Sequence, residues 1–378
     1  WHDGETLTSK DVSATFKLLQ QLEDSAETST IHSRAAVNLK MNVIDDKTFD
    51  VSFQEDTVIP SFFEAMSFKI LPEHMLSDVN PQNINTSDPI LNRNPVGTGP
   101  FRLQRVETQS ITLRRNLAYR EEISIEILKF DLFPNEISAV NAIKSGQIHG
   151  LAGLSIDNLR DLSDNYATEV LTSDVIYNQY WAMYFNLDNE LFAEKKLRQA
   201  ISSAINKERI VETLLGYAEA SDSSIPKSSF AYADVNRYTY DPVKTAELLE
   251  EIGWVLPPGR LYREKDGKQL EFELLYVDND DREKIATVIK QDLAEVGINV
   301  KVVPESLAKV RDEYIIPKQF GSLLFGVQTF LDPDRYELFH SSQISHPGLN
   351  ISSYRSSREV LAVVPDPEKQ GRVVTKKI

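Results

Sequence analysis

The chain has 378 residues, 41% of them hydrophobic and 26% charged, which is an ordinary globular composition with enough length for two or three domains. Its net charge of −16 disfavours nucleic acid and anionic lipid surfaces as partners. It has no cysteine, which excludes disulfides, thiolate metal sites and cysteine nucleophiles, and no apolar run approaches the roughly 20 residues of a membrane span.

The N-terminal segment predicts a helix followed by a β-hairpin. Thr8 and Asp11 have the spacing of a capping box, and apolar residues follow at helical spacing from Val12. Two alternating stretches within 37–53 predict two strands with one buried face. Residues 77–98 are rich in Asn, Asp, Ser and Pro, which is typical of a long surface loop.

The middle of the chain predicts a second set of strands over 101–132 and a helix that begins near Asn135 and stops near Gly146. Asn206 and Asp241 have the chemistry of N-caps, and each precedes an apolar helical stripe. These signals predict several capped helices in the region that follows the strands.

The clearest topological signal is a strand–helix–strand pattern over 270–302. Alternating apolar residues from Leu270 predict a strand, a helix with one apolar face ends at Gly297, and alternation resumes at Ile298. Two strands joined in this way are almost always parallel with a right-handed crossover. The C-terminal part is therefore predicted to be an α/β domain.

Both ends of the sequence look like interior segments of a longer chain. The first residue is Trp1 and no signal peptide is visible, while residues 373–378 are predicted to lie in the middle of a helix. A missing signal peptide then says nothing about location.

No catalytic or metal motif emerges from the search for chemistry. There is no GxSxG, GxxxxGK[ST], GxGxxG or HExxH pattern, and Gly97-Thr98-Gly99 is interpreted as a tight turn. His340 and His346 have a spacing that suits no common metal site. We therefore expect no catalytic residue, metal or cofactor, although an unrecognised hydrolase stays open.

Aromatic residues concentrate in one strand-like run over 177–185. Such a run is typical of a core strand, and it also suits a cleft in which flat apolar faces bury a ligand. Both interpretations remain open for each residue.

A series of short motifs occurs in a fixed order along nearly the whole chain. The motifs are Trp1–Val12, Asn94–Phe101, Ala142–Ile148, Tyr184–Asn186, Leu197–Lys207, Tyr240–Pro242, Gly253-Trp254, Gly297-Ile298, Asp332-Pro333 and Ser352–Tyr354. Together they resemble the extracellular solute-binding protein family 5, the oligopeptide-, dipeptide- and nickel-type receptors of ABC importers. His149 stands where that family usually has Asp.

The resemblance implies an α/β, two-lobed periplasmic-binding-protein-like fold with an extra domain and a ligand cleft between the lobes. It implies that residues 1–100 form the extra α+β domain packed on lobe I, 101–187 part of lobe I, and 188–378 a C-terminally incomplete lobe II. The chain is expected to be truncated at both ends.

The implied function is that of a substrate-binding subunit without enzymatic activity. It would capture a peptide or similar small solute at the periplasmic or extracellular face of the membrane and deliver it to the permease subunits of an ABC importer. A lipid anchor outside this fragment could add peripheral membrane association, and no nucleic acid is expected. A ligand-sensing module of a signalling or regulatory protein is the main alternative.

The predicted ligand-binding residues follow from family position and aromatic character. They are Trp181, Tyr184 and Asn186 in one lobe and Phe325, Gly326, Gln328 and Thr329 in the other. Peptide-binding relatives carry an Asp at the position of Thr329, where it pairs with the peptide's α-amino group. A neutral hydroxyl cannot supply that charge-assisted bond, which disfavours a free-amine peptide and leaves a backbone-bound peptide open. A nickel-type ligand would need a chelate or a histidine, with His340 a remote candidate.

Overall fold

The computed structural model describes residues 1–22, 36–53, 66–77, 79, 94–173, 179–227, 229–235, 237–329, 335–345, 348–355, 361–365 and 373–377. The chain divides into two compact units, Trp1–Ala139 with Glu359–Ile378, and Val140–Arg358. Its elements, in chain order, are α1 (Ser9–Leu22), β1 (Leu39–Asp45), β2 (Thr48–Phe53), β3 (Phe101–Val106), β4 (Ser110–Arg115), β5 (Ile127–Asp131), α2 (Glu136–Lys144), α3 (Ile156–Asn165), β6 (Gln179–Phe185), α4 (Glu190–Ala193), α5 (Lys195–Ala204), α6 (Lys207–Thr213), α7 (Pro242–Glu251), β7 (Glu264–Lys265), β8 (Lys268–Gln269), β9 (Glu271–Val277), α8 (Asp280–Glu295), β10 (Asn299–Glu305), α9 (Leu307–Lys309), a π-helical turn (Val310–Ile315), β11 (Ser322–Gln328), α10 (Tyr336–Phe339), β12 (Leu361–Pro365) and β13 (Val373–Lys377).

The predicted capping box at the start of α1 is confirmed. The backbone N–H of Lys10 donates to Thr8 Oγ1 at 3.2 Å, and the N–H of Thr8 donates to Asp11 Oδ2 at 2.7 Å. The second carboxylate oxygen of Asp11 accepts from the N–H of Glu73 at 2.8 Å. One buried carboxylate therefore ties the helix start to the 3₁₀ turn at Glu73–Met75.

The strands of the first unit are confirmed, but their apolar faces are mostly exposed. β1 and β2 form the predicted antiparallel hairpin, in which Leu39 is buried whereas Val43 and Phe53 are 39% and 45% exposed. β3, β4 and β5 form an antiparallel three-stranded sheet whose one buried residue is Ser110. The predicted apolar face is therefore buried at Leu39, half-buried at Met41 and Val51, which pack against the same cluster, and exposed at Val43 and Phe53.

The predicted helix over 373–378 is also wrong. Within the described residues, Val373–Lys377 form β13, which pairs antiparallel with β12 from Val373 opposite Pro365 to Lys377 opposite Leu361. β-branched side chains at Val373, Val374 and Thr375 favour extended backbone over helix, which accounts for the difference.

The second unit is built on a four-stranded sheet with the order β10-β9-β11-β6. β9 pairs in parallel with β10 and with β11, and α8 joins β9 to β10, which confirms the predicted strand–helix–strand unit. Strand β6 pairs antiparallel with β11 inside this unit, although it precedes the predicted domain boundary after residue 187. The division into three domains stays a prediction.

Helix ends in this unit follow the local sequence. Asn206 Oδ1 accepts from the N–H of Arg209 at 3.1 Å, and Asp241 Oδ1 accepts from the N–H of Lys244 at 2.9 Å. α8 is followed by Gly297 at φ +83°, a left-handed conformation that favours glycine. The predicted caps are therefore confirmed.

Candidate functional site

The candidate site lies at one edge of the four-stranded sheet, on the side where the carboxyl ends of parallel strands β9, β10 and β11 lie. β9 pairs with β11 only as far as Tyr276 opposite Leu324, whereas β11 stays paired with β6 as far as Gln328. Helix α8 packs on one sheet face, and Val310 of the π-helical turn packs on the other. Ligands of open α/β sheets bind outside the carboxyl ends of strands where the order reverses, so we place the candidate site here.

Trp181 of β6 and Gly326 of β11 are direct cross-strand partners at this edge. A Cβ atom added to Gly326 would lie 2.6 Å from Trp181 Cδ1 and 2.7 Å from Nε1, closer than real Cβ atoms come. The indole therefore occupies the space that a side chain at position 326 would fill. A glycine is required here by close approach and not by its backbone dihedrals.

Arg282, in the first turn of α8, lies over the Trp181 ring, with 5.2 Å between the guanidinium carbon and the ring centroid. The side chain is half-buried, and this burial lowers the pKa of Arg282 although Asp281 opposes the shift. No carboxylate in the described part of the chain forms an ion pair with Arg282. The site therefore contains a half-buried cation whose defined neighbour is an aromatic face.

The adjacent carboxylate of Asp281 is directed elsewhere. It accepts a hydrogen bond from the backbone N–H of Ile156, at the start of α3, and its Oδ1 lies 3.9 Å from Lys284 Nζ. Lys284 in turn pairs with Asp157 at 2.7 Å. These contacts join the first turns of α3 and α8 and hold Asp281 in a structural role.

The other face of the same strands carries a tyrosine pair. Tyr184 is buried, and its hydroxyl donates to the hydroxyl of Tyr180 at 3.3 Å. Burial raises the pKa of both phenols, so both are neutral at physiological pH. Phe325 packs into the same apolar cluster. Tyr184 and Phe325 thus lie on the sheet face opposite Trp181.

Asn186 follows β6 and is almost fully buried. Its Nδ2 donates to the carbonyl oxygens of Lys318 and Phe320 at 2.9 Å and 3.0 Å, and its Oδ1 accepts from the N–H of Asp188 at 3.1 Å. The amide therefore fixes the turn that leads into β11.

The seven predicted ligand-binding residues do not all lie at the same place. Trp181 and Gly326 are in contact, Gln328 is exposed where β11 ends, and Thr329 follows it in a buried position. Tyr184, Asn186 and Phe325 lie in the core around β6 and β11. The ligand-binding role of these residues stays a prediction.

Sequence reasoning missed Arg282. The signal was present, because a cationic residue in the first turn of the helix after a buried strand of a βαβ unit lies at the carboxyl edge of the sheet. Its contact with Trp181 depends on a strand pairing that the sequence does not specify.

The start of the chain and the turn at residues 97–99 meet at His2, beside an open groove of about 430 Å³ in the first unit. Its Nδ1 accepts from the N–H of Gly97 at 3.2 Å, so Nε2 donates to the carbonyl oxygen of Gly99 at 3.0 Å. Asp3 accepts from His74 Nε2 at 2.7 Å on the same groove. Both ring nitrogens of His2 are thus used to join the chain start to the predicted Gly97-Thr98-Gly99 turn.

The histidines form no metal centre in the described part of the chain, where no three His, Asp or Glu side chains are placed to bind an ion. His340 stacks on Tyr336 with 4.4 Å between ring centroids, and its Nδ1 contacts Ser342 Oγ at 2.8 Å. His346 and the Asp332-Pro333 motif lie outside the described residues. None of the helices described here has the length and hydropathy needed to cross a membrane.

Comparison with known proteins gives one consistent set of similarities. Residues 1–345 match the family described as bacterial extracellular solute-binding proteins, family 5 Middle. The oligopeptide-binding protein AppA of Bacillus subtilis is 27% identical over 367 residues, which cover 94% of this chain and 66% of that protein. The nickel-binding periplasmic protein of Escherichia coli is 26% identical over 287 residues, which cover 73% of this chain and 54% of that protein.

Solved structures extend the likeness to the fold. AppA from B. subtilis in complex with a nonapeptide superposes with a TM-score of 0.76 at 26% identity, covering 94% of this chain and 71% of that one. NikZ from Campylobacter jejuni in complex with Ni(L-His) gives 0.79 at 25% identity, covering 94% and 70%. The chain thus spans about two thirds of its relatives' length, and the predicted α/β fold class of two-lobed periplasmic binding proteins is confirmed.

Proposed function

The chain belongs to the bacterial extracellular solute-binding proteins of family 5, and from this we propose that it is the substrate-binding subunit of an ABC importer. It captures a peptide or similar small solute at the periplasmic or extracellular face of the membrane and passes it to the permease subunits. Binding and release suffice for this role, so the protein catalyses no reaction. Relatives named for oligopeptide and for nickel binding support a transport role and leave two ligand types to separate.

The observation that carries the proposal is Arg282 at the carboxyl edge of the sheet. A half-buried guanidinium loses hydration, and in proteins this loss is normally offset by a carboxylate or phosphate that accepts two parallel hydrogen bonds. Arg282 has no such partner among the described residues and instead contacts Trp181. A ligand carboxylate would provide the missing counter-charge.

Both ligand types fit this requirement in different ways. A peptide offers its terminal carboxylate or an acidic side chain. A metal would enter as a chelate, because the described residues hold no three-ligand group, and the chelator's carboxylates would then contact Arg282. The ligand is therefore a small carboxylate-bearing solute, with a peptide as the first candidate.

Native mass spectrometry of the complete protein, purified without refolding, tests the proposal. We expect bound masses that fragment as peptides or as one discrete carboxylate-bearing solute, and we expect Arg282→Gln to lose them. Lys290→Gln is the matched control, because Lys290 is an exposed cation on the same helix. Equal ligand occupancy in Arg282→Gln and Lys290→Gln would contradict the assigned role of Arg282, and a protein that neither carries nor takes up a ligand would contradict solute capture.

A further inference from the structure

We infer that Trp181 and Gly326 act as positioning residues for Arg282, and that this stack makes the site prefer anionic over neutral ligands. The stack consists of Gly326, the Trp181 indole and the Arg282 guanidinium, and it is called the Gly–Trp–Arg stack below. The inference rests on the proposed function and assigns Trp181 and Gly326 a role different from direct contact with the ligand.

The first step is steric. The indole of Trp181 lies against the backbone of Gly326, with Cδ1 and Nε1 less than 3 Å from where a Cβ would be. Gly326 and Trp181 belong to strands paired over seven residues, so neither backbone can move away alone. Only glycine at position 326 allows the ring to take this position across the sheet.

The second step is electrostatic. An aromatic face attracts a cation through its quadrupole but carries no net charge. Trp181 therefore orients the Arg282 guanidinium without neutralising it, whereas a carboxylate at the same place would do both. The arginine stays a full positive charge in a half-buried position, ready to bind an anion.

The third step concerns the carboxylate nearest in sequence. Asp281 could quench Arg282, but its side chain accepts from the N–H of Ile156 and lies beside Lys284. Asp281 acts on Arg282 only at a distance and forms no direct ion pair with it, while the Gly–Trp–Arg stack supplies a neutral support. The two arrangements together leave Arg282 oriented and available.

Two peptides that differ in one charge test this inference on the complete chain, freed of co-purified ligand. One ends in a free carboxylate and the other in a carboxamide, and calorimetry gives the ratio of their affinities. For wild type we expect the acid to bind about ten- to a hundred-fold more tightly, the range of a charge-assisted hydrogen bond. Trp181→Leu and Gly326→Ala should lower the acid-to-amide affinity ratio to nearly that of Arg282→Gln. Trp181→Phe keeps an aromatic face and should retain more of the preference for the acid.

Stability and charge controls separate positioning from a general structural effect. Lys290→Gln removes the same charge from the same helix and should keep the wild-type ratio. A merely structural role of Trp181 would lower the melting temperature and weaken both peptides equally. An unchanged acid-to-amide ratio in Trp181→Leu and Gly326→Ala would overturn the inference.

A readout without ligand separates this inference from the proposed function. The chain has three tryptophans, and fluorine-labelled indoles give one ¹⁹F resonance each, with that of Trp181 assigned by Trp181→Phe. We expect Arg282→Gln and Gly326→Ala to shift this resonance and Lys290→Gln to leave it in place. If wild type binds neither peptide, peptide capture fails, and a Trp181 resonance unmoved by Arg282→Gln would independently overturn the positioning role.

Discussion

Arg263 donates from Nε to the carbonyl oxygen of Val296 at 2.8 Å, at the end of helix α8. The same buried guanidinium donates to the carbonyl oxygen of Trp254 at 2.9 Å, just beyond α7. A Cβ at Gly297 would lie 3.0 Å from Arg263 Cγ, so the glycine that ends α8 also makes room for the arginine. Carbonyl groups at helix ends lack a partner within the helix. The Arg263 side chain supplies donors to such carbonyl groups beyond two different helices.

Arg263→Gln should destabilise the second unit by about 2–3 kcal/mol, because buried carbonyl groups lose charged donors that the shorter amide cannot replace. Urea unfolding followed by circular dichroism measures the loss. Arg260→Gln is the matched control, since Arg260 is exposed and lies 3.8 Å from Glu264. A loss in Arg263→Gln no larger than that in Arg260→Gln would show that the two carbonyl contacts do not stabilise the fold.

Asn350→Asp should lower the free energy of unfolding by more than most substitutions of exposed residues do. Asn350 is fully buried, and its Nδ2 donates to the carbonyl oxygens of His340 and Tyr354, both at 3.0 Å. A carboxylate would lose the donor and face those oxygens as a buried charge, at a cost of about 3 kcal/mol or more. Thermal unfolding should show a lower melting temperature for Asn350→Asp. Asn141→Asp should keep the wild-type melting temperature, because Asn141 is exposed. Equal melting temperatures for the two variants would contradict the prediction.

The elements that could be predicted from sequence are those fixed by neighbours along the chain. The Asp241 cap, the Gly297 helix end and the alternation from Leu270 each act over a few residues, so their local chemistry specifies them. The prediction of a helix at the chain end fails because a segment this short shows no clear period, while its β-branched residues favour the strand that residues 373–377 form. Alternation also predicts which face of a hairpin is apolar, but it does not show whether anything covers that face.

The candidate site depends on contacts that local patterns cannot specify. Trp181 meets Gly326 because β6 pairs with a strand more than a hundred residues later, in one register out of several. Arg282 reaches the same ring only once α8 has packed on that sheet. The aromatic run containing Trp181 could be recognised as unusual, whereas the cation above it required the fold.

Truncating Asn186 should lower the free energy of unfolding, whereas truncating Gln328 should leave it nearly unchanged. Asn186→Ala removes donors to two carbonyl groups before β11 and should cost about 1–3 kcal/mol of unfolding free energy. Gln328→Ala changes an exposed side chain at the candidate edge and should leave stability within about 0.5 kcal/mol. Urea unfolding and peptide calorimetry on the same preparations separate the effects. A Gln328→Ala variant with wild-type affinity for every bound peptide would remove this residue from the predicted ligand set.

Asp281 should give the stability of the second unit a distinct pH dependence. Burial raises the pKa of this carboxyl group, although Lys284 and the N–H of Ile156 act in the opposite direction. The folded state therefore holds the Asp281 proton more tightly than the unfolded state, so this group's contribution to unfolding free energy increases as pH falls through its folded pKa towards the unfolded value of about 3.9.

Asp281→Asn keeps an acceptor for Ile156 and removes the titration. The stability of the variant relative to wild type should then be most favourable near neutral pH and decline on acidification, as measured by urea unfolding across that range. Asp280→Asn removes a neighbouring charge that also raises the pKa of Asp281, so it should weaken this pH dependence without abolishing it. A stability difference between Asp281→Asn and wild type that stays constant with pH would mean that Asp281 titrates alike in both states, and that its burial between α3 and α8 carries no electrostatic cost.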